Sequence, residues 1–162
     1  MEKKPLTRDG YERLKQELER LKREELPAIA KELEIARSYG DLSENAEYKY
    51  AKERQEQVMF RIAQLEKLLS TCEVIDITNL KTDRVVFGCW VKIKDLSSGK
   101  EEVYRIVGEM EGDIKRGEIS YNSPLGRALI GKKEGEIVSF TTPGGERKVQ
   151  ILKISTDGAE RI

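Results

Sequence analysis

The chain has 162 residues, enough for one ordinary domain or two small ones, and its 38% hydrophobic against 37% charged residues are too few apolar side chains for a single compact core, which points to an elongated helical part. Lys and Arg total 30 and so do Asp and Glu, so no overall basic field holds the protein on nucleic acid and any such contact must be local. The absence of histidine, with only Cys72 and Cys89, excludes zinc motifs and a disulfide framework; no apolar run approaches the roughly 20 residues of a membrane span, and MEKKPLTRDG lacks a signal-peptide core, so a cytoplasmic protein with no membrane partner is expected.

From Thr7 to about Glu73 the apolar residues recur with helical period. TRDGY opens the first helix with Thr7 as N-cap, and Tyr11, Leu14, Leu18 and Leu21 follow at three- and four-residue steps. Leu26, Ile29, Leu33 and Ala36 continue in a frame shifted by one, which predicts a stutter or kink beside Pro27. After Gly40 a second series runs Tyr48, Ala51, Gln55, Val58, Ile62, Leu65, Leu69 and Cys72. Two such stripes joined by a few residues predict an antiparallel helical hairpin with arms of roughly 45 to 50 Å, too long and thin to be an ordinary core.

Near residue 75 the period switches to two. VVFGCWVKIKDLSSGKEEVYRIV reads as strand, turn at Ser98-Gly99, strand, and EIVSFTTPGGERKVQILKI reads likewise around Pro143-Gly144-Gly145. Between them Ser123 and Pro124 are placed as N-cap and first position of a short helix closed by Gly131. The single tryptophan, Trp90, is expected in the core. The fold class expected is α+β, with a coiled-coil hairpin over 1–75 and a small α+β domain over 80–158.

The joint of the hairpin, ARSYGDLSENAEYKYAKERQ, places Asp41 and Glu44 three residues apart after Gly40. Locally this fits a helix C-terminus at Gly40 followed by a capping box, Asp41 accepting from the first turn of the second helix and Glu44 reaching back. The same pair also suits a hard cation such as Mg²⁺, which takes oxygen ligands and needs only one or two carboxylates from a protein. It cannot make a complete metal site by itself, so another macromolecule would have to supply the rest. Asn45 is expected to support the turn by a side-chain hydrogen bond, and Tyr48 to pack on the apolar stripe.

The stretch ARSYGDLSENAEYKYAKERQ resembles the tip of the bacterial GreA/GreB transcript cleavage factors, and SYNSPLGRALIGKKEGE with TPGGE resembles their C-terminal domain. The resemblance runs from LTRDGYERL to VQILKI, with two unrelated motifs in the family's order. It implies an N-terminal antiparallel coiled coil followed by an FKBP-like domain, and an accessory factor with no active site of its own. Such factors bind bacterial RNA polymerase as monomers, insert the coiled coil through its secondary channel and stimulate cleavage of the nascent RNA 3′ end in backtracked complexes. On that basis Asp41 and Glu44 would assist the polymerase site by helping to hold a shared Mg²⁺, and the chain would have no cofactor of its own.

The resemblance also implies that Arg37, Lys49 and Lys52 form a small basic patch toward the extruded RNA, although they also read as ordinary solvated charges. Lys52 keeps the charge of the basic residue that the family carries near there but offers no bidentate fork. Asn122, Ser123 and Pro124 occupy the loop that the family uses to grip the rim of the channel; read locally they are simply a helix N-terminus, and some relatives carry Asp where this chain has Asn122. A non-cleaving secondary-channel regulator is the alternative reading. A chaperone or prolyl isomerase is disfavoured, since three phenylalanines and one tryptophan are too few to line a proline pocket.

Overall fold

The computed structural model describes residues 3–40, 45–159 and 162. The fold is mixed α+β, a long N-terminal helical hairpin region followed by a β-sheet domain. Two compact units divide the chain, Tyr11–Cys72 and a second that joins Met1–Gly10 to Glu73–Ile162. The start of the chain, expected with the hairpin as part of 1–75, therefore belongs to the sheet-bearing unit. Strand β1 (Pro5–Thr7) pairs in parallel with β2 (Glu73–Ile75), and strands of three residues are too short to display an alternating pattern.

Helix α1 (Arg8–Arg20) opens as expected, the Thr7 hydroxyl oxygen accepting from the Gly10 N–H at 3.0 Å. The shifted frame is a π turn, Leu21–Glu25, in which the Leu26 N–H donates to the Leu21 carbonyl five residues back. Helix α2 (Leu26–Arg37) follows with Pro27 in its first turn. The proline ring cannot continue an α-helical ladder over the carbonyl four residues earlier, and the wider turn avoids that clash. One extra residue in the turn also restores the apolar face: Leu14 and Leu21 before it, and Ile29, Leu33 and Ala36 after it, are all buried.

Helix α3 (Ala46–Thr71) runs antiparallel to these segments. Its partners retreat along the first arm as its own numbers advance: Asn45 meets Ala36, Arg54 meets Glu32 at 2.9 Å, and Arg61 makes two bonds to Glu17 at 2.9 and 3.0 Å. Ile29, Leu33 and Ala51 form a buried cluster with Tyr48 and Val58 packed against it. Farther along, Ile62, Leu65 and Leu68 are buried while the expected Leu69 is only half-buried, so the stripe widens toward the end of the helix.

In the other unit β3 (Trp90–Asp95), β4 (Glu101–Val107), β5 (Glu118–Ser120), β6 (Ile137–Thr142) and β7 (Gly145–Ser155) form a sheet in the order β5-β4-β3-β7-β6. Both expected hairpins are present, and β5, another three-residue strand missed by pattern, adds in parallel to β4. Helix α4 (Pro124–Leu129) lies between β5 and β6 in sequence and buries Leu129 with Val85, Cys89, Val91, Ile93, Ile106, Val138, Val149 and Ile151. Trp90 corrects the expectation of a core residue. Alternation along β3 turns Val91 and Ile93 into that core and Trp90 away from it, where the Arg105 guanidinium lies 4.4 Å from its ring centroid.

Asp95 ends β3 and organises the turn to β4. It accepts from the Ser97 hydroxyl at 2.7 Å and the Ser97 and Ser98 N–H groups at 2.8 and 3.2 Å, and it pairs with Arg147. The Ser97 hydroxyl, the Arg147 guanidinium and the two backbone donors hold its carboxyl well below the usual carboxylate range. A folded-state pKa below the unfolded value stabilises the fold above the unfolded pKa, about 3.9, and that stability is lost as pH falls toward the folded value. Urea midpoints measured below about pH 4 are therefore expected to fall less steeply for Asp95→Asn than for the wild type, whereas parallel curves would show that Asp95 is not the titrating group.

Candidate functional site

The two ends of the hairpin turn are built by backbone and amide chemistry. Helix α2 closes with Ser38 at its C-cap, the Tyr39 N–H donating to the Ala36 carbonyl at 3.1 Å and the Gly40 N–H to the Arg37 carbonyl at 3.4 Å. Gly40 takes a φ of +109°, the conformation expected of it there. Asp41 and Glu44, the expected assisting carboxylates, lie outside the described residues.

The cap of α3 corrects one expectation. The N-cap is Asn45, not Asp41: its side-chain oxygen accepts from the Tyr48 N–H at 3.1 Å, and its amide nitrogen donates to the Ala36 carbonyl at 2.7 Å. An amide can do both, accepting along its own helix and donating across to the other, whereas a carboxylate has no proton to give. Asn45 thereby ties the start of α3 to the end of α2. Asn45→Ala is expected to cost about 1–2 kcal/mol, the cap plus a lost cross-helix bond, with Asn45→Asp between it and wild type in urea unfolding. An Asp variant as weak as the Ala variant would mean that the cap contributes nothing.

Of the expected basic residues, Arg37 is drawn across the hairpin, its guanidinium 5.7 Å from the ring centroid of Tyr48. Tyr48 in turn packs on the Ile29, Leu33 and Ala51 cluster, as the stripe implied. Lys49 and Lys52 are exposed on α3, and the Lys52 ammonium donates to the Gln55 side chain at 3.1 Å. Arg37 is thus a held cation, and the two lysines are solvated ones.

The Asn122–Pro124 loop lies in the other unit. Ser123 caps α4, its hydroxyl accepting from the Gly126 N–H at 3.1 Å and donating to the Ser120 carbonyl at 2.7 Å, with Pro124 exposed in the first turn. Gly126 is obligatory here, since a Cβ would fall 2.3 Å from the Ser120 carbonyl oxygen. Asn122 accepts from the Ser120 hydroxyl and donates to Glu109. Glu109 also pairs with Lys4 at 3.0 Å, and the Lys4 ammonium, with help from the Asn122 amide, holds the Glu109 carboxyl below its usual value against the opposing effect of burial. Lys4 and Glu109 are supports that sequence reading missed, because they come from distant segments that meet only in the fold.

Among the described residues no group of three or more His, Cys, Asp or Glu side chains could hold a metal ion. Nor is any described helix long and apolar enough to cross a membrane.

Family models match nearly all of the chain. "Transcription elongation factor, N-terminal" covers residues 4–74, and "Transcription elongation factor, GreA/GreB, C-term" covers residues 80–156. The transcription elongation factor GreA of Anaeromyxobacter sp. (strain K) is 51% identical over 96% of this chain and 93% of its own length. That of Syntrophus aciditrophicus (strain SB) is 47% identical over 99% of both chains. Among solved structures, GreA factor homolog 1 (Gfh1) of Thermus thermophilus is 30% identical over 95% of this chain and 99% of that one, with a TM-score of 0.43. With both family models matched in order and relatives about half identical over almost their full length, the chain belongs to the GreA/GreB family of transcription elongation factors.

Proposed function

We propose that this chain is an accessory factor, not itself an enzyme, that binds bacterial RNA polymerase, passes its helical hairpin into the secondary channel and stimulates cleavage of the nascent RNA 3′ end in backtracked complexes, so that elongation resumes. The observation that carries this reading is the cap at Asn45. With α3 capped by the Asn45 amide, the start of that helix has its cap without a carboxylate, and this reading gives Asp41 and Glu44 to a partner.

Their donor chemistry fits a hard cation, two carboxylates with hard oxygen atoms, but two groups are too few to hold one alone. When bound, Mg²⁺ supplies charge neutralisation at the scissile phosphate and lowers the pKa of water. In this reading Asp41 and Glu44 add negative oxygen donors beside the polymerase's own, while Arg37, Lys49 and Lys52 attract the phosphates of the extruded RNA. The sheet-bearing unit is FKBP-like and grips the rim of the channel through Asn122, Ser123 and Pro124, where Glu109 steadies Asn122 and Pro124 offers an exposed ring.

The test is RNA cleavage in a stalled, backtracked elongation complex with purified polymerase and Mg²⁺, with and without the wild-type chain, alongside polymerase binding. Stimulated release of a short 3′ fragment is expected. Binding without stimulation would replace this reading with that of a non-cleaving channel regulator.

A further inference from the structure

One flank of the hairpin, close to its closed end, exposes three large apolar side chains: Ile35 is 53% exposed, Tyr39 67% and Tyr50 64%. They belong to one patch. Arg54 of α3 bonds Glu32 of α2 at 2.9 Å, which sets these two positions on the same side of the hairpin at the same level. Ile35 follows Glu32 by three residues, and Tyr50 precedes Arg54 by four, its ring 5.9 Å from the Arg54 guanidinium. Both steps run along a helix ridge toward the closed end, so Ile35 and Tyr50 come level with each other. Tyr39 follows in the turn just beyond the end of α2, four residues after Ile35.

The chemistry of this flank selects its occupant. Arg37 lies two residues from Ile35, and Lys52 two residues from Tyr50, so each is turned about 200° around its helix from the patch. The charged residues at three- and four-residue steps from Ile35 and Tyr50 are Lys31, Glu32, Glu47, Glu53 and Arg54, two basic and three acidic, and Arg54 is already bonded to Glu25 and Glu32. Such a border repels a phosphate backbone more than it attracts one. Three partly exposed side chains amount to roughly 300–400 Å², below the about 800 Å² per partner of a stable dimer. The patch is therefore too small to join two copies of this chain, though sufficient as part of a larger contact.

We propose, resting on the polymerase reading above, that Ile35, Tyr39 and Tyr50 seat the hairpin against an apolar protein surface in the wall of the channel it enters, and so contribute to its affinity there.

The test uses the full-length chain with Ile35→Ala and Tyr50→Ala together, both exposed and both replaced by the best helix former, so that helix content should match wild type. Affinity for purified polymerase is measured at two salt concentrations, with cleavage at saturating factor and sedimentation of the free proteins. The expected result is a roughly tenfold loss of affinity, equal at both salts, with cleavage at saturation unchanged. Unchanged affinity and unchanged cleavage overturn the proposal. Unchanged affinity with slower saturated cleavage that depends on the 3′ base also overturns it, and assigns the flank to RNA stacking. A wild-type dimer that the variant dissolves, with polymerase affinity unchanged, overturns it in favour of a second copy. A wild-type chain that does not bind polymerase overturns both this proposal and the function on which it rests.

Discussion

A chain carrying Asp41→Asn and Glu44→Gln is expected to bind polymerase as the wild type does and to lose on the order of 100-fold or more of its stimulation of RNA cleavage. The substitutions keep side-chain size and much of the hydrogen-bonding capacity while removing both negative charges. Because the side-chain cap of α3 comes from Asn45, which neither substitution alters, the stability of the free protein is expected to stay within about 0.5 kcal/mol of wild type. Charge is the property removed, so a loss confined to the cleavage step reports charge placed beside the reacting phosphate. A double variant that still stimulates at the wild-type rate would show that the carboxylates contribute nothing to the reaction. One that unfolds more readily would return them to a structural role.

Glu111→Ala is expected to destabilise the sheet-bearing unit by about 3–5 kcal/mol. Glu111 is buried, and its carboxylate accepts from the Thr7 N–H at 3.0 Å, the Gly108 N–H at 2.6 Å and the Thr7 hydroxyl. Truncation leaves two backbone donors facing one another across a void, each costing about 1–3 kcal/mol when it loses its partner out of water. Gly10 makes the same point from the other side. A Cβ there would fall 1.6 Å from a Glu111 carboxylate oxygen, so Gly10→Ala can be accommodated only by breaking the set of bonds that holds the carboxylate. Urea unfolding reads the size of both effects. Hydrogen exchange at the Thr7 and Gly108 amides reads their location, since protection there should fall first. A Glu111→Ala chain with a wild-type urea midpoint would mean that water replaces the carboxylate without cost.

How much was legible depended on the length of the signal. The hairpin arms repeat an apolar step over many turns, and the two strand pairs flank turns whose glycines and serines are unmistakable, so their existence and order were readable. Even the π turn left a trace, the one-residue shift of the stripe between Leu21 and Leu26. Strands β1, β2 and β5 left none, because three residues cannot establish a period. Trp90 was misplaced because alternation says which residues share a face but not which face is covered. The sequence left the cap of α3 open because Asp41 with Glu44 matches a capping box in one dimension, whereas Asn45 both caps α3 and reaches the Ala36 carbonyl on the other arm.

By itself, then, the sequence determined the helical hairpin, the sheet with its short capped helix, and the family to which both belong, since these follow from periodicity and motifs written along the chain. Only the tertiary structure decided that Thr7 and Glu111 bind the start of the chain into the sheet-bearing unit, that Glu109 and Lys4 steady Asn122, and that Ile35, Tyr39 and Tyr50 are left exposed. The reason is physical. Hydrogen bonds and burial act through space between residues about a hundred positions apart, or across two helices, and no local pattern records which of them will meet.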